Sequence, residues 1–497
     1  MWASDRGWRG WIGRNGRAGS ARGAVLAVAL LITGCASLSS MDSATAPSSP
    51  VNLPSVGTAP NDPEHLRIVA AYGGVYNDQN AATAIARAVG RLVAASDDPS
   101  QSYRITLLNS PVINAFALPN GHLYVTRGLL ALANDTSEVA AVIAHEMAHV
   151  TAKHALARQR RAEAAQELNK TVAGALQDGD QQRLALASTQ LSLARFSQVQ
   201  ELEADAIGIK TLAKAGFDPF AASRFLSSMQ RYADFRTQKG GVSATAHPDF
   251  LSTHPSTPER IDFAIREARE AAPNGPVEQE REAYLNEIDG MVYGDDPQEG
   301  FIRGRTFLHK ALGLEFTVPP GFVLENTSKA VLATDSAGTA MRFDGVAVDA
   351  DTALKDYLTS GWVNGLDTAS ITESRQGEFE MATARAAADG WTFRIGVIRA
   401  GKTVYRFIFA AQEPSATFET VASETFQTFR RLTPAESARL RPLHIKIHRV
   451  RVGETMSQLG DQMQGVERKQ ETFRVLNGLD ANDQVEAGKL VKLVTDQ

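Results

Sequence analysis

The sequence is poor in cysteine, in aromatic residues and in charge of one sign. Cys35 is the only cysteine among 497 residues, so the chain cannot form an internal disulfide. Aromatic residues make up 7% of the chain, whereas hydrophobic residues make up 43%, which is enough to build packed cores. The formal net charge is −5 and no basic domain stands out, which argues against nucleic acid as a partner.

An apolar run near the start of the chain is short. Residues 24–32 are too few to span a bilayer as a stable helix, and five arginines precede them, which predicts a secretory signal. The run ends in ITGC, which resembles a bacterial lipobox with Cys35 as the lipidated residue, and Ala36 after it favours the outer membrane. We expect residues 1–35 to be a lipoprotein signal peptide, with a cleaved signal without lipid as the alternative. Residues 36–62, rich in Ser, Ala, Pro and Thr, are expected to form a flexible linker.

The pentapeptide HEMAH at residues 145–149 has the spacing of a hydrolytic zinc site. On a helix, His145 and His149 lie about 40° apart on one face, and Glu146 lies at the edge of that face. Neutral imidazole is a good zinc ligand, and a carboxylate beside a metal-polarised water can take its proton. The pattern predicts one Zn²⁺ ion per chain, with His145 and His149 as ligands and Glu146 as the general base.

The residues before the pentapeptide predict a buried helix. Asp135 followed by Glu138 has the pattern of a helix start, and the apolar run 139–144 leads into the histidines. Burying the polar side chains of His145, Glu146 and His149 costs free energy unless each has a partner. A bound metal ion would give all three side chains a partner. A satisfied structural pair of histidines is the alternative.

Catalytic zinc takes three protein ligands and leaves one position for water, so a third ligand is expected downstream. Residues 201–205 read ELEAD; Glu201 and Asp205 share one helical face, whereas Glu203 points away from it. We assign Glu201 as the third ligand and Asp205 as an acceptor that fixes one histidine ring through its other nitrogen. The alternative is a solvated acidic helix face.

These motifs together resemble a known family. HEMAH, ELEAD, AGFDP at 215–219 and THPSTPER at 253–260 occur in the order found in the gluzincin metallopeptidases of the HtpX, BepA and CAAX prenyl-protease group. The resemblance covers about residues 63–275 and implies a mainly helical zincin-type domain with a small β-hairpin. It also implies the same three zinc ligands and the same base.

A hairpin is expected near the active helix. Residues 112–126 alternate imperfectly between apolar and polar and are interrupted by Pro119-Asn120-Gly121. In the family that the chain resembles, such a strand edge is thought to bind the substrate peptide as an added strand. An ordinary core hairpin is the alternative.

Two further histidines receive different predictions. His254 lies on a predicted loop before Pro255, where it could occupy the open zinc position and silence the enzyme, or donate to the oxyanion during attack. Capping of the helix that starts near Pro258 is the structural alternative, and the sequence leaves all three open. His154, which precedes a basic run, is predicted to be solvent-exposed.

The rest of the chain predicts further modules, so that the expected fold class is α+β and multi-domain. Residues 276–300 connect the peptidase to residues 301–440, which resemble a PsbP-like α+β domain without a catalytic constellation. Residues 446–497 resemble a β-α-α-β LysM module whose opening strand and turn lie at 450–455. That resemblance implies binding to peptidoglycan, although Glu454 replaces the usual aspartate and leaves the binding open.

Two functional classes follow. The first is a zinc endopeptidase of the bacterial cell envelope, lipid-anchored on the periplasmic side and most naturally at the outer membrane, with misfolded or misassembled envelope proteins as substrates. The second is a chaperone-like outer-membrane assembly factor, or a peptidoglycan-tethered binding protein, with little proteolysis. The complete set of ligands and base favours the first class.

Overall fold

The computed structural model describes residues 62–160, 197–237, 250–272, 277 and 280–496. The predicted signal segment with Cys35, and the linker as far as residue 61, lie outside these residues. No described helix is both long and apolar enough to cross a membrane. The chain divides into two compact units, one formed by residues 302–437 and the other by 59–238, 247–301 and 438–497.

The second of these units holds the predicted site and begins with two helices and a small sheet. Helices α1 (Pro63–Ala71) and α2 (Gln79–Ala95) precede strands β1 (Arg104–Leu108), β2 (Ala115–Ala117) and β3 (His122–Thr126). The strand order is β1-β3-β2, with β1 parallel and β2 antiparallel to β3, so the predicted hairpin is confirmed. Strand β2 forms one edge of this sheet, and within the described residues no strand pairs with its outer side.

Helices follow the sheet and surround the predicted site. They are α3 (Arg127–Leu132), α4 (Thr136–Thr151), α5 (Gln198–Lys214), α6 (Ala221–Thr237), α7 (Phe250–Thr253), α8 (Pro258–Ala271) and α9 (Arg281–Glu287), and the short strand β4 (Val292–Tyr293) comes after them.

Helix α4, which carries HEMAH, starts where the sequence predicts. The Asp135 carboxylate accepts a hydrogen bond from the Glu138 N–H at 2.8 Å, and Glu138 Oε2 accepts one from the Asn134 N–H at 2.8 Å. The first bond satisfies a donor that the first helical turn leaves without a partner, and the second ties the residue before the cap to the same turn. All residues of α4 from Thr136 to His149 are buried.

Helices α4 and α5 pack closely at the level of the first histidine. A Cβ atom at Gly208 would lie 3.1 Å from the backbone nitrogen of His145 and 3.2 Å from the carbonyl carbon of Ala144. Glycine therefore lets the two backbones approach at this point, which brings the ELEAD segment against HEMAH.

The unit of residues 302–437 is an α+β module. Its strands are β5 (Phe301–Arg303), β6 (Thr306–His309), β7 (Leu314–Thr317), β8 (Val323–Asn326), β9 (Val331–Thr334), β10 (Ala340–Ala347), β11 (Leu366–Gln376), β12 (Phe379–Ala388), β13 (Trp391–Ala400), β14 (Thr403–Ala411) and β15 (Arg430–Arg431). They form a seven-stranded sheet with the order β11-β12-β13-β14-β10-β9-β8 and a four-stranded sheet with the order β15-β7-β6-β5. Its helices are α10 (Leu354–Thr359), α11 (Phe418–Thr428) and α12 (Pro434–Arg439). The strands predicted near 341–348, 392–399 and 404–410 are thus confirmed.

The C-terminal segment belongs to the unit that holds the site. It runs through β16 (Leu443–Arg449), α13 (Met456–Asp461), α14 (Lys469–Asn477) and β17 (Leu490–Thr495), which is the β-α-α-β order. Strand β16 starts earlier than the sequence analysis placed it, because residues 450–455 form the turn after the strand. Strand β16 pairs with β17 and also with β4, and its apolar residues share one hydrophobic core with the helices around the site.

A buried lysine joins this segment to the start of the active helix. Lys492 of β17 has no exposed surface, and its Nζ donates to the carbonyl oxygens of Ala131, Leu132 and Ala133 at 2.7, 3.1 and 2.6 Å. These carbonyl oxygens lie at the end of α3, just before the cap of α4, where the helix itself supplies no N–H donors for them.

Candidate metal centre

Four buried side chains from three elements converge at one point. They are His145 and His149 on α4, Glu201 on α5 and His254 directly after α7, and their ligand atoms all lie within 4.8 Å of one another. His145 Nε2 lies 3.0 Å from His149 Nε2 and 3.5 Å from Glu201 Oε2. The ring of His254 stacks on that of Phe250 with their centroids 4.6 Å apart, which holds it against the cluster.

The donor set fits a zinc ion. Imidazole nitrogens and one carboxylate are the ligands that zinc takes in catalytic sites. Two imidazole nitrogens facing each other at 3.0 Å, with a carboxylate beside them, offer lone pairs that a shared cation would satisfy. Glu146, next to this cluster, has one buried oxygen, Oε1, without a hydrogen-bond partner.

A carboxylate and an arginine support the cluster from behind. Asp205 Oδ1 lies 2.9 Å from His145 Nδ1, on the side of the ring opposite the cluster. Arg260, at the start of α8, donates through Nε and Nη2 to Asp205 at 2.9 and 2.8 Å. Its Nη1 lies 2.8 Å from Glu201 Oε2. The structure therefore places Asp205 where it can orient His145, and one guanidinium holds both carboxylates.

The two histidines of α4 have pKa values shifted in opposite directions. Burial works against the charged form of His145, but its hydrogen bonds to Asp205 and Glu201 raise its pKa to about 9. Burial and the neighbouring His145 lower the pKa of His149. Glu201 is buried as well, yet its hydrogen bonds to His145 and His254 hold its pKa below the ordinary range, so it remains a carboxylate.

Glu146 faces both the cluster and the sheet edge. Burial raises the pKa of Glu146, while the nearby His254 and a backbone hydrogen bond from Ala117 of β2 act in the opposite direction. His254 Nε2 lies 3.5 Å from Glu146 Oε1, and its Nδ1 lies 3.0 Å from Glu201 Oε1. His254 is thus situated between the predicted base and the predicted third ligand.

The sequence analysis was wrong about His154 and did not find Arg260. His154 is 3% exposed and lies against His149, because the chain turns back after α4. In the sequence analysis Arg260 belongs to the THPSTPER motif and to a helix start, but it has no role in the site. A signal for it exists, since Arg260, Ala264 and Ala268 are spaced four apart and are the buried residues of α8.

Comparisons with known proteins agree with this chemistry. Residues 79–268 match the sequence model of Peptidase family M48. A putative beta-barrel assembly-enhancing protease of Vibrio cholerae serotype O1 is 30% identical over 259 residues, covering 46% of this chain and 50% of that protein. The mitochondrial metalloendopeptidase OMA1 of Schizosaccharomyces pombe is 32% identical over 208 residues, covering 42% of this chain and 58% of that protein.

The extent of these similarities is limited. The chain spans 50% and 58% of the length of these two relatives. A solution structure of cyanobacterial PsbP from Synechocystis is similar with a TM-score of 0.21 and 14% identity, covering 29% of this chain and 93% of that one. The match to Peptidase family M48 includes the pentapeptide and the third predicted ligand, so this part of the chain is similar to a zinc metallopeptidase and holds the whole cluster that fits a zinc ion.

Proposed function

We propose that this protein is a zinc-dependent endopeptidase of the bacterial cell envelope that hydrolyses misfolded or misassembled envelope proteins. The observation that carries the proposal is the buried carboxylate of Glu146, one oxygen of which has no hydrogen-bond partner, beside a cluster of four metal-ligating side chains. The relatives named beta-barrel assembly-enhancing protease support outer-membrane proteins as the substrate class. The lipobox-like sequence around Cys35 supports a lipid anchor. The LysM-like order of the C-terminal elements supports binding to peptidoglycan.

The residues of the site divide the chemical work. His145, His149 and Glu201 would hold zinc, which when bound polarises a water molecule and the substrate carbonyl. Glu146 accepts the proton of the attacking water and delivers it to the leaving amine. Burial raises the pKa of Glu146. A carboxylate with a raised pKa is a better proton acceptor, so Glu146 can hold the proton between its removal from water and its delivery to the amine.

The outer edge of β2 would hold the substrate backbone. Phe116 forms the hydrogen-bonded pair with Tyr124, as the flanking bonds from Leu118 N–H to His122 and from Thr126 N–H to Asn114 require. The backbone groups of Ala115 and Ala117 therefore point away from β3, and the hydrogen bond from Ala117 to Glu146 places them beside the site. A peptide added as a strand there would bring its scissile peptide bond close to Glu146, with little dependence on its side chains.

The experiment compares zinc content and cleavage in the Glu146→Gln variant of the full chain. We expect full zinc occupancy but a loss of casein or unfolded-porin cleavage by several orders of magnitude, because an amide cannot accept the proton. The matched control is Glu270→Gln, which makes the same change on an exposed residue of α8. A chelator should abolish cleavage by the wild-type protein and by the control.

The same assay separates the two functional classes. Cleavage that persists in Glu146→Gln with full zinc would remove Glu146 as the base. A zinc-loaded wild-type protein that binds unfolded porin but never cleaves it would favour the assembly-factor class instead.

A further inference from the structure

A break in the helix brings a third histidine of the HEMAH region to the back of the centre. In a continuous helix, His149 and His154 would lie about 140° apart, since each residue turns the helix by about 100°. Instead α4 ends at Thr151, and Lys153 has the left-handed φ of 53°. A new helical segment, 154–160, starts immediately afterwards and turns His154 back towards His149. A left-handed conformation in a lysine is uncommon, so this turn is a specific feature of the chain.

His154 contacts a residue of the metal centre, His149, on one side and a mostly exposed residue, Glu203, on the other. Its Nδ1 lies 2.9 Å from His149 Nδ1, and its Nε2 lies 3.3 Å from Glu203 Oε2. The side chain of His154 is 4% exposed, whereas that of Glu203 is 54% exposed. The rings of His149 and His154 meet edge to face, with centroids 4.9 Å apart and an angle of 71°.

The positions of the protons follow from these distances. His149 Nε2 faces the cluster, 3.5 Å from Glu201 Oε1, so a metal bound there leaves the ring proton on Nδ1. That N–H points at His154 Nδ1, which must then present its lone pair. An imidazole that presents the lone pair of Nδ1 carries its proton on Nε2, and in His154 this N–H faces Glu203 and can donate to it. One tautomer of each ring satisfies both contacts.

The two histidines of α4 are therefore supported differently. His145 faces the carboxylate of Asp205, which Arg260 holds in place. His149 faces the imidazole of His154, which also contacts the mostly exposed Glu203. A carboxylate gives a charge-assisted hydrogen bond, which is roughly twice as strong as a neutral one.

We propose that His154 is a positioning residue that orients the His149 ring and selects its zinc-binding tautomer, with Glu203 selecting the tautomer of His154 in turn. This role rests on the proposed zinc site but not on proteolysis. It also gives Glu203 a function that its position off the ligand face of α5 does not suggest. Since neighbours that orient a ligand typically contribute 10- to 100-fold to metal affinity, the effect on zinc retention should be of that order.

The test measures the rate at which zinc leaves the full-length protein to a chromophoric chelator. His154→Leu keeps the bulk but offers no acceptor, and we expect it to lose zinc about 10- to 100-fold faster than the wild type. His154→Asn places a carbonyl oxygen at the depth of Nδ1 and should restore retention to within a few-fold. Glu203→Gln keeps an acceptor for His154 and should also change the rate by no more than a few-fold. His65→Leu, which changes a histidine on α1 outside the cluster, is the control.

A spectroscopic readout distinguishes positioning from general destabilisation. In zinc-loaded protein with ¹⁵N-labelled histidine, the Nδ1–H signal of His149 should be present and slow to exchange in the wild type and in His154→Asn. It should be lost or exchange rapidly in His154→Leu. Wild-type retention in His154→Leu, or equal loss in the leucine and asparagine variants, would overturn the proposal. A wild-type chain that binds no zinc would overturn the metal site itself.

Discussion

Arg260 Nη1 lies 2.8 Å from Glu201 Oε2, with only 3% of either side chain exposed. The same guanidinium donates two hydrogen bonds to Asp205, which faces His145. A buried pair of carboxylates would repel each other and favour protonation without this cation. Arg260 therefore adds a positive charge beside the predicted third ligand and fixes Asp205, the residue that supports the first ligand.

Replacement of Arg260 by lysine should weaken zinc binding although the positive charge is kept. Lysine is a single-point donor and cannot hold two carboxylates at once in the geometry of a guanidinium. We expect Arg260→Lys to lower zinc affinity by about 10- to 100-fold, as measured by competition with a chelator. Arg266→Lys, an exposed position on the same helix, should leave the affinity unchanged. Equal affinities in both variants would show that Arg260 only stabilises the fold.

The choice between Glu201 and Glu203 as the third ligand can be tested directly. Glu201 is 2% exposed and belongs to the cluster, whereas the Glu203 side chain is 54% exposed and contacts His154 instead. Glu201→Gln should empty the site, because the loss of a carboxylate ligand removes most of the zinc affinity. Glu203→Gln should retain the metal. Zinc content of both purified variants decides the assignment, and the reverse result would exchange the two roles.

Helical periodicity predicted the parts of this centre that lie within a single helix. The spacing of His145 and His149, and the shared face of Glu201 and Asp205, depend only on 3.6 residues per turn. The hairpin and the cap at Asp135 were also predictable, because the residues that form a turn or a helix cap are close together in the sequence.

Features that depend on the path of the chain between helices could not be predicted in this way. His154 was expected at the surface because its neighbours are basic, and only the left-handed turn at Lys153 buries it. Arg260 meets Asp205 across 55 residues, a contact that no periodicity encodes. Likewise, Lys492 has the sequence environment of an ordinary strand residue, and its burial follows from packing against carbonyls some 360 residues away.

The position of His254 predicts that it restrains the enzyme. Its Nδ1 lies 3.0 Å from Glu201 Oε1 and its Nε2 3.5 Å from Glu146 Oε1, so the ring lies where a substrate carbonyl or water would be expected. We expect His254→Ala to raise the initial rate of casein cleavage several-fold with unchanged zinc content. A lower rate would instead support donation to the oxyanion. The double variant with Glu146→Gln should be inactive, which ties any gain to this centre.

The start of α4 should make the stability of the protein depend on pH through Glu138. Burial, and then the negative charge of Asp135, raise the pKa of Glu138 to about 7 from the ordinary value of 4.5. A carboxyl whose pKa is raised by folding stabilises the folded state below its unfolded pKa, and this contribution is lost as the pH rises through the folded pKa. The window is therefore about pH 4.5 to 7.

Glu138→Gln isolates this contribution, because the amide does not titrate and keeps a carbonyl oxygen that can accept from the Asn134 N–H. The free energy of unfolding of the wild type, minus that of the variant, should fall by up to about 3 kcal/mol between pH 4.5 and 7 and be flat on either side. Urea titrations of both proteins measure it, with Glu270→Gln as the exposed control. A difference that instead grows with pH would mean that Glu138 is ionised in the folded helix start, held by Arg224, whose Nε lies 3.5 Å from Glu138 Oε1. The pH dependence thus shows whether burial and Asp135, or instead Arg224, determine the charge of Glu138 at the start of the helix that carries the catalytic residues.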